Sequence, residues 1–306
     1  MLQSAYKSQN CDKKIKKWDE IMKNKIYSSL LLSTLLLAGC KNEAQVPEES
    51  ENETNEDTTE QVTDENTNDN EADNDADTDD TNEDENEAEE VTYQYRINPE
   101  TFSVEPIDGN EDNDEKLVLL TFDDAPYGNT IEIAEALKER DVKALFFING
   151  MYMEDEEGFE TIQKVHDMGF EIANHTHTHA KLDDYSETDQ REEIIKTNDI
   201  IEEAVGERPR FFRAPHGIMT DYARQVVADE NMTWTNWSFG YDWEAEYQDS
   251  AALTDITLNT ELLGNGANIL MHDREWTAEA VPAIVDGLIE QGFTIVDPHL
   301  IINESE

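Results

Sequence analysis

From Lys116 to Asp297 the sequence alternates short apolar runs with longer segments of helical spacing, and this rhythm constrains the fold more than any other feature. The runs are "LVLLTF", "ALFFI", "FEIAN", "RFFRA", "TWTNWSF", "NILMH" and "FTIVD". Strands that are apolar on both faces belong to covered sheets, and strands that alternate with helices pair in parallel. Between the runs, Ile194, Ile201 and Val205 share one helical face, and Val281, Ile284, Val285 and Leu288 share another. Gly169, Gly206 and Gly292 stand where helices would end, and Thr220 and Ser250 where helices would begin. Seven units in succession predict an α/β fold, a distorted or incomplete (β/α)7 barrel. Upstream, "TYQYRINPETFSVEPIDG" holds two alternating runs around "NPE" and predicts a short β-hairpin before the barrel.

Barrels of this kind collect their chemistry at the C-terminal ends of the strands. Asp123 and Asp124 end the first run, His175, His177 and His179 follow the third, and Arg213 ends the fourth. Asp242 follows the fifth and His272 ends the sixth. Adjacent acids are often only a solvated turn. Here they follow an apolar strand directly, so one carboxylate can face a metal while its neighbour points elsewhere.

The spacing of the three histidines leaves two pairings open. Alternate side chains on a strand share a face about 6.6 Å apart, so an extended chain would let His175 and His177 grip one ion. A turn after Asn174 would instead bring His175 and His179 together. A carboxylate from the first strand would supply a third ligand. Three nitrogen and oxygen ligands with an open position make a catalytic site of the zinc type rather than a closed structural one.

Charge excludes a partner class. The formal net charge of the 306 residues is −51, which rules out nucleic-acid binding by phosphate neutralisation. From Lys41 to Glu90 there are 23 Asp and Glu and one Lys, with Asn and Thr filling most of the rest. Such a segment lacks the apolar surface to offset chain entropy, so 41–91 is expected to be a disordered acidic linker. From Val91 onward 47 acidic residues face 14 basic ones, a net −33. A folded domain carrying that charge repels itself. Salt relieves the repulsion, because the Debye length falls to about 3 Å at 1 M, and the composition points to a salt-adapted (halophilic) source. An acidic extracellular protein from an ordinary source is the alternative.

The N-terminal residues 1–40 read as an address. "MKNKIYSSLLLSTLLLAGC" has a basic start and an apolar stretch from Ile26 to Leu37, then small residues before Cys40. The stretch is short for a membrane span and reads as a signal peptide, with Met22 as the expected start. "LAGC" resembles a bacterial lipobox, which implies lipidation of Cys40 and a place on the outer face of a membrane. The linker would then be a tether, or a spacer with no particular length requirement. Residues 92–306 remain as the folded domain.

The stretches "TFDDAP", "NHTHTH", "RAPHG", "YDW" and "LMHD" fall in the order and spacing of the polysaccharide deacetylases (carbohydrate esterase family 4, the chitooligosaccharide-deacetylase homology domain). The resemblance spans 115–298. It implies that Asp123 is a general base oriented by Arg213, and that Asp124, His175 and His179 are metal ligands with His177 spare. It implies that His272 is a general acid supported by Asp242, and that the backbone N–H of His216 serves an oxyanion hole. Trp243 would wall the groove, Leu270 would line the pocket for the acetyl methyl, and Tyr127 is placed with the substrate-binding residues. The implied cofactor is one divalent metal, zinc first, with cobalt, manganese or nickel as alternatives. The family commonly has Gly where Ala125 stands and an aromatic where His216 stands, and "WSFGYDW" is shorter than the commoner form. These departures bear on groove shape and substrate preference.

The expected function is therefore removal of N-acetyl groups from an extracellular amino-sugar polymer, a chitin-like one or peptidoglycan, with N-acetylglucosamine of peptidoglycan foremost. An O-acetyl esterase acting on xylan or another polysaccharide is the alternative within enzymes. A carbohydrate-binding lipoprotein without turnover is the alternative from another class.

Overall fold

The computed structural model describes residues 92–107 and 115–303. The signal segment with Cys40 and the acidic linker lie outside the described residues. Strands β1 (Tyr95–Ile97) and β2 (Val104–Pro106) form the expected antiparallel hairpin. The remaining strands form an eight-stranded parallel sheet. They are β3 (Lys116–Ala125), β4 (Leu145–Ile148), β5 (Glu171–Asn174), β6 (Phe211–Phe212), β7 (Thr233–Trp234), β8 (Phe239–Gly240), β9 (Ala267–His272) and β10 (Phe293–Ile295). The order runs β7-β6-β5-β4-β3-β9-β8, with β10 paired to the first residues of β3. The sheet curls into a half-barrel with helices outside it.

Alternation along the strands separates two environments. The odd positions Leu117 and Leu119 of β3 cluster with Leu145, Phe147, Ala173 and Phe211 and with Tyr95, Ile97 and Val104 of the hairpin. The hairpin thus plugs one end of the barrel interior. The even positions Val118, Leu120 and Phe122 cluster with Phe146, Ile148, Ile269 and Met271 and with the covering helices. Each fully buried side chain of this size contributes about 1.5–3 kcal/mol. The helices are α1 (Thr130–Lys138), α2 (Glu156–Asp167), α3 (Glu187–Val205), α4 (Asp221–Asp229), α5 (Ser250–Asn259) and α6 (Glu275–Glu290). The expected faces are buried: Ile194 and Ile201 on α3, and Val281, Ile284, Val285 and Leu288 on α6. Val205 is only partly buried.

Helix ends follow the sequence with one correction. Gly206 closes α3 at φ 86°, a conformation costly for other residues, and Thr220 accepts from Ala223 N to start α4. Ser250 is not a cap. Asp249 accepts from the N–H groups of Ala251 and Ala252, and Ser250 is the first helical residue. An acid one residue earlier reaches the same unpaired amides with a charge, which the helix end favours.

The run "TWTNWSF" is two strands rather than one. Thr235 N donates to Phe212 O at 3.0 Å on the β6 side, and Ser238 N donates to Asn268 O at 2.8 Å on the β9 side. Only Asn236 and Trp237 lie between those bonds. The run begins on one edge of the sheet and ends on the other, and so bridges the gap in the barrel. Apolar pattern records that a segment is extended, not which neighbours its two ends choose.

Candidate active site

The inward face of β3 changes character along its length, from Leu117 and Leu119 through Thr121 to Asp123. Strict alternation would turn Asp124 outward. Instead the β3–β4 register shifts between Phe122 and Ala125, and Asp124 takes φ 63°. Such a bulge re-aims a side chain at the end of a strand. Both carboxylates therefore face His175, with Asp123 Oδ2 3.5 Å and Asp124 Oδ1 4.0 Å from its Nε2. Asp124 alone of the two joins the donor cluster with the histidines, as expected, while Asp123 turns to Arg213.

The histidine pairing resolves because β5 ends at Asn174. Asn174 Oδ1 accepts from Thr176 N at 2.7 Å, and Thr176 and His179 both take positive φ. The turn brings the rings of His175 and His179 to 5.0 Å. One donor atom from each of Asp124, His175 and His179 lies within 4.8 Å of the others. His175 Nδ1 is 2.7 Å from Arg213 O, which leaves Nε2 to face the cluster. Two imidazole nitrogens and one carboxylate oxygen, converging with one ring already oriented from behind, fit a zinc-type divalent cation. His177 points away. It is buried, with Nε2 3.1 Å from Glu154 Oε1 and 2.8 Å from Lys196 Nζ. A Cβ on Gly150 would come 2.5 Å from its Nδ1, so glycine there makes room for the ring.

On one side of the cluster stands Arg213, fully buried just past β6. Its Nη1 donates to Asp123 Oδ1 at 2.7 Å and to Thr121 Oγ1 at 2.9 Å. Its Nη2 donates to Asn236 O at 2.8 Å, and its guanidinium lies 4.2 Å from the Phe147 ring centroid. Burial pulls Arg213 below its ordinary value and the charge of Asp123 opposes the shift. A guanidinium nevertheless keeps its proton in proteins.

On the other side His272 ends β9. Its Nδ1 is 2.8 Å from Asp242 Oδ1, and its backbone N donates to Asp242 Oδ2. Asp242 is fully buried, and Thr277 Oγ1 donates to it at 2.9 Å. Burial alone would lower His272. The hydrogen bond and charge of Asp242, with Asp123 and Asp124 beyond, outweigh burial and raise it above the ordinary histidine value. Asp124 responds in the opposite sense. Burial would push it up, and His175, His272, His179 and Arg274 together hold it below the usual carboxylate range. Burial, with His175 beside it, lowers His179 to about 4.

Aromatic side chains flank these groups. Trp243 is 45% exposed and meets His272 edge-on at 5.5 Å, with Trp237 6.5 Å behind it. A Cβ on Gly240 would fall 2.6 Å from the Trp243 ring, so that glycine lets the indole lie where it does. Tyr127, 40% exposed, packs on Tyr152 at 5.4 Å. His216 sits at φ 60° with its ring 4.8 Å from His179. Leu270 is buried on β9 in register with Thr121, between Asn268 and His272 on alternate positions.

Sequence reasoning missed Asp273 and Arg274. Asp273 accepts from the backbone N–H groups of Tyr127, Gly128 and Asn129 and from Thr130 Oγ1, and so caps α1 from 143 residues away. Arg274 Nη2 donates to Asp124 Oδ2 at 2.8 Å, with its guanidinium 4.8 Å from the Tyr127 ring centroid. The "LMHD" stretch was the only available signal, and nothing in it told which strand these side chains would reach.

A family model for polysaccharide deacetylases matches residues 110–234. A chitooligosaccharide deacetylase of Sinorhizobium fredii is 31% identical over 195 residues, covering 58% of this chain and 88% of that one. A peptidoglycan-N-acetylglucosamine deacetylase of Bacillus cereus is 32% identical over 58% of this chain and 66% of its own length. Other curated relatives are longer, and the chain spans 31% of one and 40% of another. Among solved structures, a family 4 carbohydrate esterase from Streptomyces lividans in complex with acetate has a TM-score of 0.53 at 30% identity, covering 59% of this chain and 91% of that one. With the curled parallel sheet and the sequence match in agreement, the chain belongs to the polysaccharide deacetylase family.

Proposed function

We propose that this protein is a metal-dependent hydrolase that removes N-acetyl groups from an extracellular amino-sugar polymer, with N-acetylglucosamine of peptidoglycan as the foremost substrate. One observation carries the reading: the Asp124–His175–His179 donor cluster lies beside two differently held groups, Asp123 bound by Arg213 and His272 bound by Asp242. The carboxylate of Asp123 is oriented by the guanidinium, and the imidazole of His272, raised by its buried anion, is kept as an acid. A binding protein needs neither.

Asp124, His175 and His179 would hold one divalent cation, zinc first, which supplies Lewis acidity toward the acetyl carbonyl and a more acidic water. Asp123 takes a proton from water as its oxygen adds to the acetyl carbon, and Arg213 keeps the carboxylate in place. The His216 N–H faces the carbonyl oxygen as charge develops on it. His272 gives its proton to the nitrogen, the C–N bond breaks, and acetate and a free amine leave. Trp243 and Tyr127 offer flat faces to sugar rings, and Leu270 meets the acetyl methyl.

The relatives named above act on chitooligosaccharide and on peptidoglycan, which supports an amino-sugar substrate. The "LAGC" stretch supports lipidation at Cys40 and a tethered position on the outer face of a bacterial membrane, where peptidoglycan is the nearest such polymer.

Acetate release by the purified, metal-reconstituted protein in molar salt tests the reading. N-acetylglucosamine oligomers, peptidoglycan and acetylated xylan are supplied in parallel, with Asp123→Asn as control. Release from the amino-sugar substrates that the variant lacks is expected. Release from xylan alone would move the protein to the O-acetyl esterases, and none anywhere would leave a binding protein.

A further inference from the structure

Inside the barrel, one turn of side chains below the reacting groups, a single amide joins parts of the chain that are far apart in sequence. Asn268 is fully buried on β9. Its Oδ1 accepts from Arg213 Nη2 at 3.2 Å and lies 3.4 Å from Thr121 Oγ1. Its Nδ2 lies 3.0 Å from Asn236 O, 3.2 Å from Thr235 Oγ1 and 3.2 Å from Phe102 O. Asn236 O also accepts from Arg213 Nη2. The amide therefore faces Arg213, the segment that bridges the barrel gap and the hairpin that plugs its end.

Neighbouring positions make this amide conspicuous. On the strand beside it the inward residues Leu117 and Leu119 are apolar, as are Leu145 and Phe147 one strand further. An unpaired amide among them would be costly, whereas one whose donors and acceptor are all engaged rigidifies what it touches. Of its contacts, Arg213 alone leads onward to a reacting group, through the 2.7 Å bond to Asp123.

We propose that Asn268 is a positioning residue for the reaction: it fixes the second amino group of Arg213, and through it the direction in which Arg213 presents Asp123. The inference rests on the reading of Asp123 as the base. Arg213 Nη1 reaches Asp123 and Thr121, while among the described residues Nη2 is held by Asn268 and by the Asn236 carbonyl, which Asn268 Nδ2 itself holds at 3.0 Å, so loss of Asn268 removes one bond to Nη2 and loosens the acceptor of the other. Phe102 O, on the hairpin, anchors the other end of the amide. The N-terminal hairpin is by this route a part of the active-site scaffold.

Two variants of the full chain test this. Asn268→Ala removes acceptor and donors together. Asn268→Asp has nearly the same shape, keeps an acceptor and adds a charge that draws Arg213 off Asp123. In both, kcat for acetate release is expected to fall about tenfold, as a misplaced base does, with KM within twofold because Asn268 lies below the substrate. Nitrogen NMR of arginine-labelled protein gives a readout independent of turnover. Arg213, identified by its loss in Arg213→Lys, is expected to show separate Nη1 and Nη2 signals in the parent. Those signals merge in Asn268→Ala and stay apart in Asn268→Asp. Separate signals in folded Asn268→Ala, or kcat within twofold of the parent in both variants, would overturn the proposal. If the parent releases no acetate at all, the functional reading fails and the Arg213 signals alone decide whether Asn268 holds the guanidinium.

Discussion

Arg274 Nη2 donates to Asp124 Oδ2 at 2.8 Å, while Asp124 Oδ1 lies 3.5 Å from His179 Nε2. One oxygen of the carboxylate is thus occupied by an arginine and the other is left for a cation. Arginine beside a cation site also repels the cation, by an amount of about 1 kcal/mol after solvent screening. Arg274→Ala is therefore expected to bind zinc about fivefold more tightly and yet turn over more slowly, because Asp124 can then chelate with both oxygens and close an open position. Competition against a chromophoric chelator measures the first effect. Unchanged or weaker zinc binding would refute the account.

The histidines divide into two kinds. His175→Ala and His179→Ala remove converging donors and are expected to lose zinc affinity by more than about 100-fold. His177→Gln replaces a ring that packs on Gly150 and Glu154, and it should keep one zinc per chain with affinity within about twofold. Metal content after dialysis distinguishes the variants. Loss of zinc from His177→Gln would contradict the geometry.

Asp242 raises His272, so the proton on His272 persists to higher pH than on an ordinary histidine. Activity that needs this proton falls on the alkaline side. In Asp242→Asn the hydrogen bond is weakened and the charge is gone, so the alkaline limb of kcat/KM is expected to move to lower pH and the rate near neutrality to fall at least about tenfold. An alkaline limb that stays in place would assign it to another group.

Much of this site was legible because alternation on β3 and β9 carries it. Leu117, Leu119, Thr121 and Asp123 share one face, and the turn from apolar to charged residues along that face marks the end where chemistry collects. The bulge at Asp124 was not legible, since a residue at positive φ has no required spelling when it is not glycine. Nor was the double allegiance of the segment from Thr233 to Gly240, because hydrophobic pattern fixes extension and not partnership. Asp273 and Arg274 reach residues more than 140 positions away. Contacts of that separation are settled by how the strands are ordered.

The salt dependence of stability tests the reading of the chain's charge. From Val91 onward the net charge of −33 repels itself at low salt. The melting temperature is expected to rise between about 0.1 and 2 M potassium chloride, by several degrees. A flat or falling trend would remove salt adaptation as the reason for the acidity.

A second pH effect lies at the C-terminal segment. His299 is raised by its hydrogen bond to Asp297 at 2.8 Å, against burial, with Glu171 adding its charge. Its stabilisation is complete below the unfolded value of about 6.5 and is lost as pH rises through the folded value. The melting-temperature gap between the parent and His299→Gln is expected to be widest near pH 6 and to narrow as pH rises. A gap that widens with pH would reverse the assignment.

The stretch between Thr235 and Ser238 acts as a hoop around the mouth of the barrel. Asp123 and His272 stand side by side on neighbouring strands, whereas Arg213 reaches Asp123 from β6 with its second amino group on the hoop's own carbonyl, that of Asn236. Lengthening the hoop by a single residue would shift that carbonyl, and with it the aim of Arg213, without touching any group that reacts. The direction of the base is in this sense written in a place where no sugar binds.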